Sequence, residues 1–132
     1  MKLGVSGFNV GKRSRNEPLD YLAIRSEFET LKSIGGLVDE LIFTECALGE
    51  ELTEEMAKKG LLLYPTISEM ERVGQIAREV GVEIGGHASF LVNFASPNIK
   101  KRSASRGHLT ALCKRLAAAK GVYGVTHLGF LG

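Results

Sequence analysis

The C-terminal segment of this sequence, from Ile84 onward, contains no acidic residue. All fifteen Asp and Glu residues lie between Glu17 and Glu83, and none occurs from Ile84 to the last residue, Gly132. That last segment carries seven Lys and Arg residues and is +7, whereas the part before it holds ten basic and fifteen acidic residues and is −5. A basic segment of this size favours a polyanionic or phosphorylated ligand, although a solvent-exposed basic helix would give the same pattern.

Long hydrophobic runs and paired cysteines are missing as well. No apolar stretch approaches the roughly 18–20 residues that span a bilayer, and no hydrophobic leader follows the first residue, which predicts a cytoplasmic protein without a membrane partner. The two cysteines, Cys46 and Cys113, match no metal-binding spacing and are expected to be free, buried thiols. A phosphate-binding loop is excluded, because Gly11-Lys12 is followed by Arg13 instead of Ser or Thr.

Short apolar runs alternate with amphipathic segments along the chain. The runs at 2–6, 41–43, 82–87 and 121–127 predict four strands. Three helices are predicted between them: one that starts at Asn16-Glu17-Pro18, one that runs from a capping box at Thr66 to Gly81, and one that Pro97 opens. The stretch 45–63 is irregular, with a possible short helix at 53–59.

This order of elements predicts an α/β fold. Strands that alternate with helices form a parallel sheet, here a (βα)3β unit. Residues 1–132 are expected to form a single domain that corresponds to half of an eight-stranded (β/α)8, or TIM, barrel.

Two histidines follow the predicted strands at the point where each strand ends. His87 closes the third strand and His127 the fourth, and the carboxyl ends of parallel strands meet at one edge, so both can converge on one metal or substrate. Glu45, after the second strand, could reach the same edge, whereas His108 is expected to be a surface residue of the basic helix. A catalytic zinc uses three protein ligands and an open position, so two histidines alone leave the site incomplete.

The segment around His87 resembles the endonuclease IV family of zinc-dependent apurinic/apyrimidinic endonucleases, which are barrels of the xylose-isomerase-like type. The resemblance lies in Gly86 to Pro97 (Gly-His-Ala-Ser-Phe-Leu-Val-Asn-Phe-Ala-Ser-Pro) and in Thr126 to Gly132, where Leu128 replaces the proline of the family's His-Pro-Gly signature. The first residues look most like the archaeal branch. The chain is similar to the N-terminal half of such a barrel.

The resemblance implies a zinc site, or alternatively a manganese site, that includes His87 and His127. It implies hydrolysis of the phosphodiester 5′ to an abasic site in DNA by the full-length parent. Phe90 and Asn93 would contact the DNA, and the basic residues that follow would hold its backbone: Lys100, Lys101 and Arg102. The family's remaining ligands would lie on later strands, so these 132 residues alone are expected to be inactive.

Two other functions stay open. A sugar isomerase or epimerase would share the fold and also bind a divalent metal at the strand ends, and fold alone does not choose between the activities. A non-catalytic half barrel would expose apolar strand edges and would dimerise or pair with a complementary C-terminal half.

Overall fold

The computed structural model describes residues 2–10, 18–45, 63–88 and 92–129. The predicted short helix at 53–59 and Cys46 lie outside these ranges. Three helices and six strands occur within the described residues, in this order: β1 (Gly4–Asn9), α1 (Tyr21–Ser33), β2 (Val38–Ile42), β3 (Thr44–Glu45), β4 (Leu63–Tyr64), α2 (Ile67–Val80), β5 (Glu83–His87), α3 (Ile99–Ala118) and β6 (Tyr123–Val125).

Four of the strands form one parallel sheet in the order β1-β2-β5-β6. Strand order therefore follows chain order, with a helix between each strand and the next, which confirms the predicted (βα)3β unit. β1 extends past the predicted end at Ser6, because its register to β2 shifts between Ser6 and Phe8 and lets the strand continue to Asn9. The two short strands β3 and β4 pair separately and antiparallel.

Side-chain caps start the three helices. Thr66 and Glu69 form the predicted capping box at the start of α2, and Gly81 ends that helix. The other two starts differ from the prediction: Asp20 caps α1, accepting the Ala23 N–H at 3.0 Å, and Asn98 caps α3, so neither helix starts at its proline. A side-chain carboxylate or amide oxygen can accept a hydrogen bond from an unpaired backbone N–H in the first turn of a helix. A proline is compatible with the first turn but offers no such acceptor.

The helices cover one face of the sheet. Along β2, Asp39 and Leu41 are buried whereas Ile42 is exposed, and α2 packs against both α1 and α3. The buried core lies between the helices and the sheet and includes Phe28, Leu41, Met70, Ile76 and Leu112. Among the described residues no helix is both long and apolar enough to cross a membrane.

Two predictions of burial were wrong, and both concern α3. His108 is 9% exposed and is not a surface residue, whereas Cys113 is exposed instead of buried. Arg115, a basic residue of the same helix, is 1% exposed. The Arg115 side chain donates from Nε to the carbonyl of Pro65 at 2.8 Å and from Nη1 to the carbonyl of Ala111 at 3.0 Å. The guanidinium is buried because it connects α3 to Pro65, the residue that precedes the Thr66 cap of α2. Cys113 lies on another side of α3 and is exposed.

The open face of the sheet carries a polar network that spans its four strands. The Glu40 carboxylate on β2 accepts the hydroxyl of Ser6 on β1 at 2.9 Å and the hydroxyl of Tyr123 on β6 at 2.8 Å. The Tyr123 ring crosses β5 at Gly85, where a Cβ would lie 2.3 Å from the ring carbon Cζ. Desolvation and the bond to Glu40 raise the pKa of Tyr123 to about 12.

Candidate metal centre at the carboxyl end of the sheet

His87 and His127 meet at the carboxyl edge of the sheet. His87 is the last residue of β5, and His127 lies two residues after the last residue of β6, which pairs in parallel with β5. The ring centroids are 5.1 Å apart and the ring planes are inclined by 53°. The structure therefore brings together the two histidines that the sequence singled out, with His87 half-buried and His127 exposed.

The His87 ring is held in one orientation by the backbone that follows it. Its Nδ1 lies 2.8 Å from the carbonyl oxygen of Ala88. Because a carbonyl oxygen only accepts hydrogen bonds, Nδ1 carries the hydrogen, and in the neutral ring the lone pair is then on Nε2. A metal-binding histidine commonly donates its other ring nitrogen in this way.

Backbone hydrogen bonds tie the loop after β5 to the segment that carries His127. The Ala88 N–H donates to the carbonyl of Val125 at 2.8 Å, and the Phe94 N–H donates to the carbonyl of Leu128 at 3.0 Å. Gly129 allows a close approach of the two segments, because a Cβ at this position would lie 2.1 Å from Asn93 Oδ1. Its φ is +117°, a backbone conformation that residues with a side chain rarely adopt.

Asn93 is placed inside this loop. It is 4% exposed, its backbone N–H donates to Ser105 Oγ at 2.7 Å, and its Oδ1 accepts the Ala95 N–H at 3.1 Å. In this structure the side chain orders the loop and does not present itself at the surface. The other predicted DNA contact in the loop, Phe90, lies outside the described residues.

The basic residues predicted to contact DNA lie in the first turn of α3, directly after the β5–α3 loop. Lys100 and Lys101 are exposed, and this turn contains no acidic residue. Arg102 instead turns back to the loop, where its Nη1 donates to the carbonyls of Ser96 at 2.7 Å and Pro97 at 3.0 Å. The N-terminus of a helix favours anions, and the charges of the two exposed lysines add to this effect. The first turn of α3 therefore forms a positively charged surface.

Within the described residues, no third His, Cys, Asp or Glu joins the two histidines to form a metal-binding group. The side chain of Glu45, a candidate further ligand from its position after the second strand, is not among those described. Sequence reasoning missed the Ala88 carbonyl that fixes the His87 ring, because a backbone contact leaves no residue-type signal.

Searches by sequence identify no relative: no family model matches the chain, and no curated protein matches it. Solved structures do match. SacUVDE, a UV damage endonuclease, aligns with a TM-score of 0.63 and 13% identity over 98% of this chain and 50% of its own. A D-psicose 3-epimerase crystallised in the presence of D-fructose aligns with a TM-score of 0.60 and 12% identity, over 97% of this chain and 37% of its own.

The D-psicose 3-epimerase from Clostridium cellulolyticum H10, crystallised with D-tagatose, gives the same TM-score of 0.60 with 16% identity and the same coverage of 97% and 37%. The chain has the fold of half a TIM barrel. It spans between 37% and 50% of the length of these structures, and at 12–16% identity the likeness shows the fold alone.

Proposed function

We propose that this chain is the metal-binding half of an endonuclease IV-like barrel that acts on abasic sites in DNA. The observation that carries the proposal is the pairing of His87 with His127 at the sheet edge where α3 begins with its exposed lysines. Metal ligands and phosphate-binding groups are both needed to hydrolyse a phosphodiester. The half-barrel fold supports a site at this edge, because the active sites of TIM barrels lie at the carboxyl ends of their strands.

The two histidines fit a zinc ion by their chemistry. Imidazole is a common zinc ligand, and the Ala88 carbonyl leaves the His87 Nε2 lone pair for a metal. A bound zinc supplies positive charge against the phosphodiester oxygens. The described residues supply two imidazoles, fewer than the three protein ligands of a catalytic zinc, so we expect metal binding without turnover from these ligands alone.

The positive surface on α3 would bind the DNA backbone. Lys100 and Lys101 would each neutralise a phosphate, and Arg102 would hold the loop at Ser96 and Pro97 in place beneath it. We assign Phe90 the aromatic contact at the damaged site and Asn93 the ordering of the loop that carries it.

Zinc binding is tested first, by isothermal titration with zinc and by the visible spectrum of the cobalt(II) form. We expect at most about one metal per chain, with His87→Ala and His127→Ala each weakening binding by 10-fold or more. Ser103→Ala, at an exposed position of α3, is the control. Equal affinity in wild type and both histidine variants would overturn the metal site.

DNA binding is tested by fluorescence anisotropy on two duplexes that differ only in one abasic-site analogue. Lys100→Ala with Lys101→Ala should weaken binding to both duplexes and lower the salt dependence of log K by up to about 1.8, since each phosphate contact contributes about 0.9. Phe90→Ala should reduce only the preference for the abasic duplex, through lost stacking worth about 1–3 kcal/mol. No preference for the abasic duplex in wild type would count against this substrate.

A metal-dependent sugar epimerase is the second candidate, because two D-psicose 3-epimerases share the fold over 97% of the chain. Such an enzyme would bind a ketohexose at the same edge. Titration of D-fructose and D-tagatose into the metal-loaded chain separates the candidates. Saturable sugar binding that His87→Ala removes, together with equal affinity for the two duplexes, would favour the epimerase.

A further inference from the structure

His127 depends on contacts outside the sheet for its position. It lies two residues beyond Val125, the last residue of β6, and its side chain is exposed. Strand pairing therefore does not fix its backbone. A site built on two imidazoles needs both rings held in place beforehand, because a ligand that moves freely loses conformational entropy when the metal binds.

The loop between β5 and α3 holds the segment that carries His127 on both sides of the histidine. The carbonyl of Val125 accepts the Ala88 N–H at 2.8 Å, and the carbonyl of Leu128 accepts the Phe94 N–H at 3.0 Å. The second bond comes from a loop residue, so its strength depends on how firmly that part of the loop is fixed. The position of His127 thus follows the position of the backbone at residues 93 and 94.

A buried serine of α3 fixes this part of the loop. Ser105 is 1% exposed, and its Oγ accepts the N–H of Asn93, the residue before Phe94, at 2.7 Å. The same hydroxyl donates to the carbonyl of Lys101 at 2.8 Å, one turn earlier in α3. Serines inside helices commonly bond back to their own helix in this way. Here that bond also orients the hydroxyl so that a lone pair faces the loop.

We propose that Ser105 is a positioning residue of the candidate metal centre, where its hydroxyl holds His127 beside His87 through the backbone of Asn93 and Phe94. The inference rests on the proposed metal site and adds to it a residue that acts through the loop. Alanine at position 105 would remove the acceptor of a buried N–H, which is unfavourable, so the loop would move. The segment that carries His127 would move with it, and the ring separation of 5.1 Å would be lost.

The first experiment needs no metal. Ring centroids 5.1 Å apart should give a nuclear Overhauser effect between the carbon-bound ring protons of His87 and His127 in the wild-type chain. Ser105→Ala should lose this signal. Ser103→Ala, the same substitution at an exposed position of the same helix, should keep it. A ring contact that persists in Ser105→Ala, or that is missing from wild type, would overturn the proposal.

Zinc affinity gives the second readout, by isothermal titration and by the visible spectrum of the cobalt(II) form. Ser105→Ala should bind zinc about 10-fold more weakly, at the lower end of the range for lost outer-shell partners, and should change the cobalt spectrum. Ser103→Ala should match wild type. Ile76→Val, a core substitution on α2, controls for stability, because it should lower the free energy of unfolding and leave zinc affinity unchanged. Equal weakening by Ile76→Val would reduce Ser105 to a packing residue.

Gly129→Ala perturbs the same series of contacts from the other end and leaves α3 intact. A Cβ at this position would lie 2.1 Å from Asn93 Oδ1, so the substitution should separate the two segments. We expect the ring contact to be lost here too, which keeps the test available if Ser105→Ala does not fold. A wild-type ring contact in folded Gly129→Ala would contradict the proposed coupling.

Two outcomes separate the role of Ser105 from the metal site itself. If wild type binds no zinc but Ser105→Ala still loses the ring contact, the metal site is refuted and the hold of Ser105 on His127 is supported. If wild type binds zinc and Ser105→Ala binds it equally well, the metal site stands and the positioning role is refuted.

Discussion

Replacing Asp39 with Asn should remove much of the pH dependence of this protein's stability. Asp39 lies on β2 and faces the helices, it is 0% exposed, and neither carboxylate oxygen has a hydrogen-bond partner among the described residues. Burial disfavours the charged carboxylate, and the nearby negative charge of Glu27 adds to the effect. Together they raise the pKa of Asp39 from 3.8 to about 7.

The shift sets both the sign and the size of the effect. Below pH 3.8 both states hold the proton, and the stabilisation is fully present. As pH rises from there to about 7, the unfolded chain releases the proton while the folded one keeps it, so the free energy of unfolding falls and then levels off. At 1.36 kcal/mol per pKa unit, the loss is about 4 kcal/mol.

Urea unfolding of wild type and Asp39→Asn at about pH 5 and about pH 8 measures the part of this loss that lies above pH 5, about 3 kcal/mol. The Asn variant cannot ionise, so we expect a smaller fall in its free energy of unfolding and higher stability than wild type at the upper pH. Asp20→Asn is the matched control, because Asp20 is an exposed helix cap and Asn caps equally well. If Asp39→Asn keeps the wild-type pH dependence, the reasoning from burial is refuted.

Two further substitutions test the packing of the sheet and the start of α2. Gly85→Ala should displace the Tyr123 ring from Glu40, because the new Cβ would overlap the ring. We expect the free energy of unfolding to fall by about 1–3 kcal/mol and the Tyr123 pKa to return from about 12 toward its ordinary value. An unchanged pH titration of the phenol, followed by ultraviolet absorbance, would contradict this. Thr66→Ala should lower the free energy of unfolding by about 1 kcal/mol, measured by thermal unfolding, because the capping box is lost. Glu71→Ala, at an exposed position of the same helix, is the control and should change stability little. Equal effects of the two substitutions would show that the cap does not stabilise α2.

Local patterns predicted the elements because each depends on neighbouring residues. The alternation of apolar runs with helical periods gave the (βα)3β order, and Thr66 with Glu69 marked the start of α2. The position of His87 at a strand end followed from the same pattern, and parallel strands bring such ends to one edge.

On α3 the apolar pattern was right about its leucines but incomplete, because Leu112 and Leu116 are buried as their spacing indicates. The same side also buries the polar residues Ser105, His108 and Arg115, whereas Cys113 is exposed, and apolar periodicity marks none of these four. Which polar side chain is buried depends on a distant partner, such as the Pro65 carbonyl fifty residues from Arg115.

The sequence by itself determined the order of strands and helices, the charge asymmetry and the placement of two histidines at strand ends, since all of these are properties of residue order. Only the tertiary structure decided that the two rings lie 5.1 Å apart, that the Ala88 carbonyl orients His87, and that the Asp39 carboxylate is buried with no hydrogen-bond partner among the described residues. These depend on which backbone groups and side chains from separate segments meet, and that is set by packing between elements.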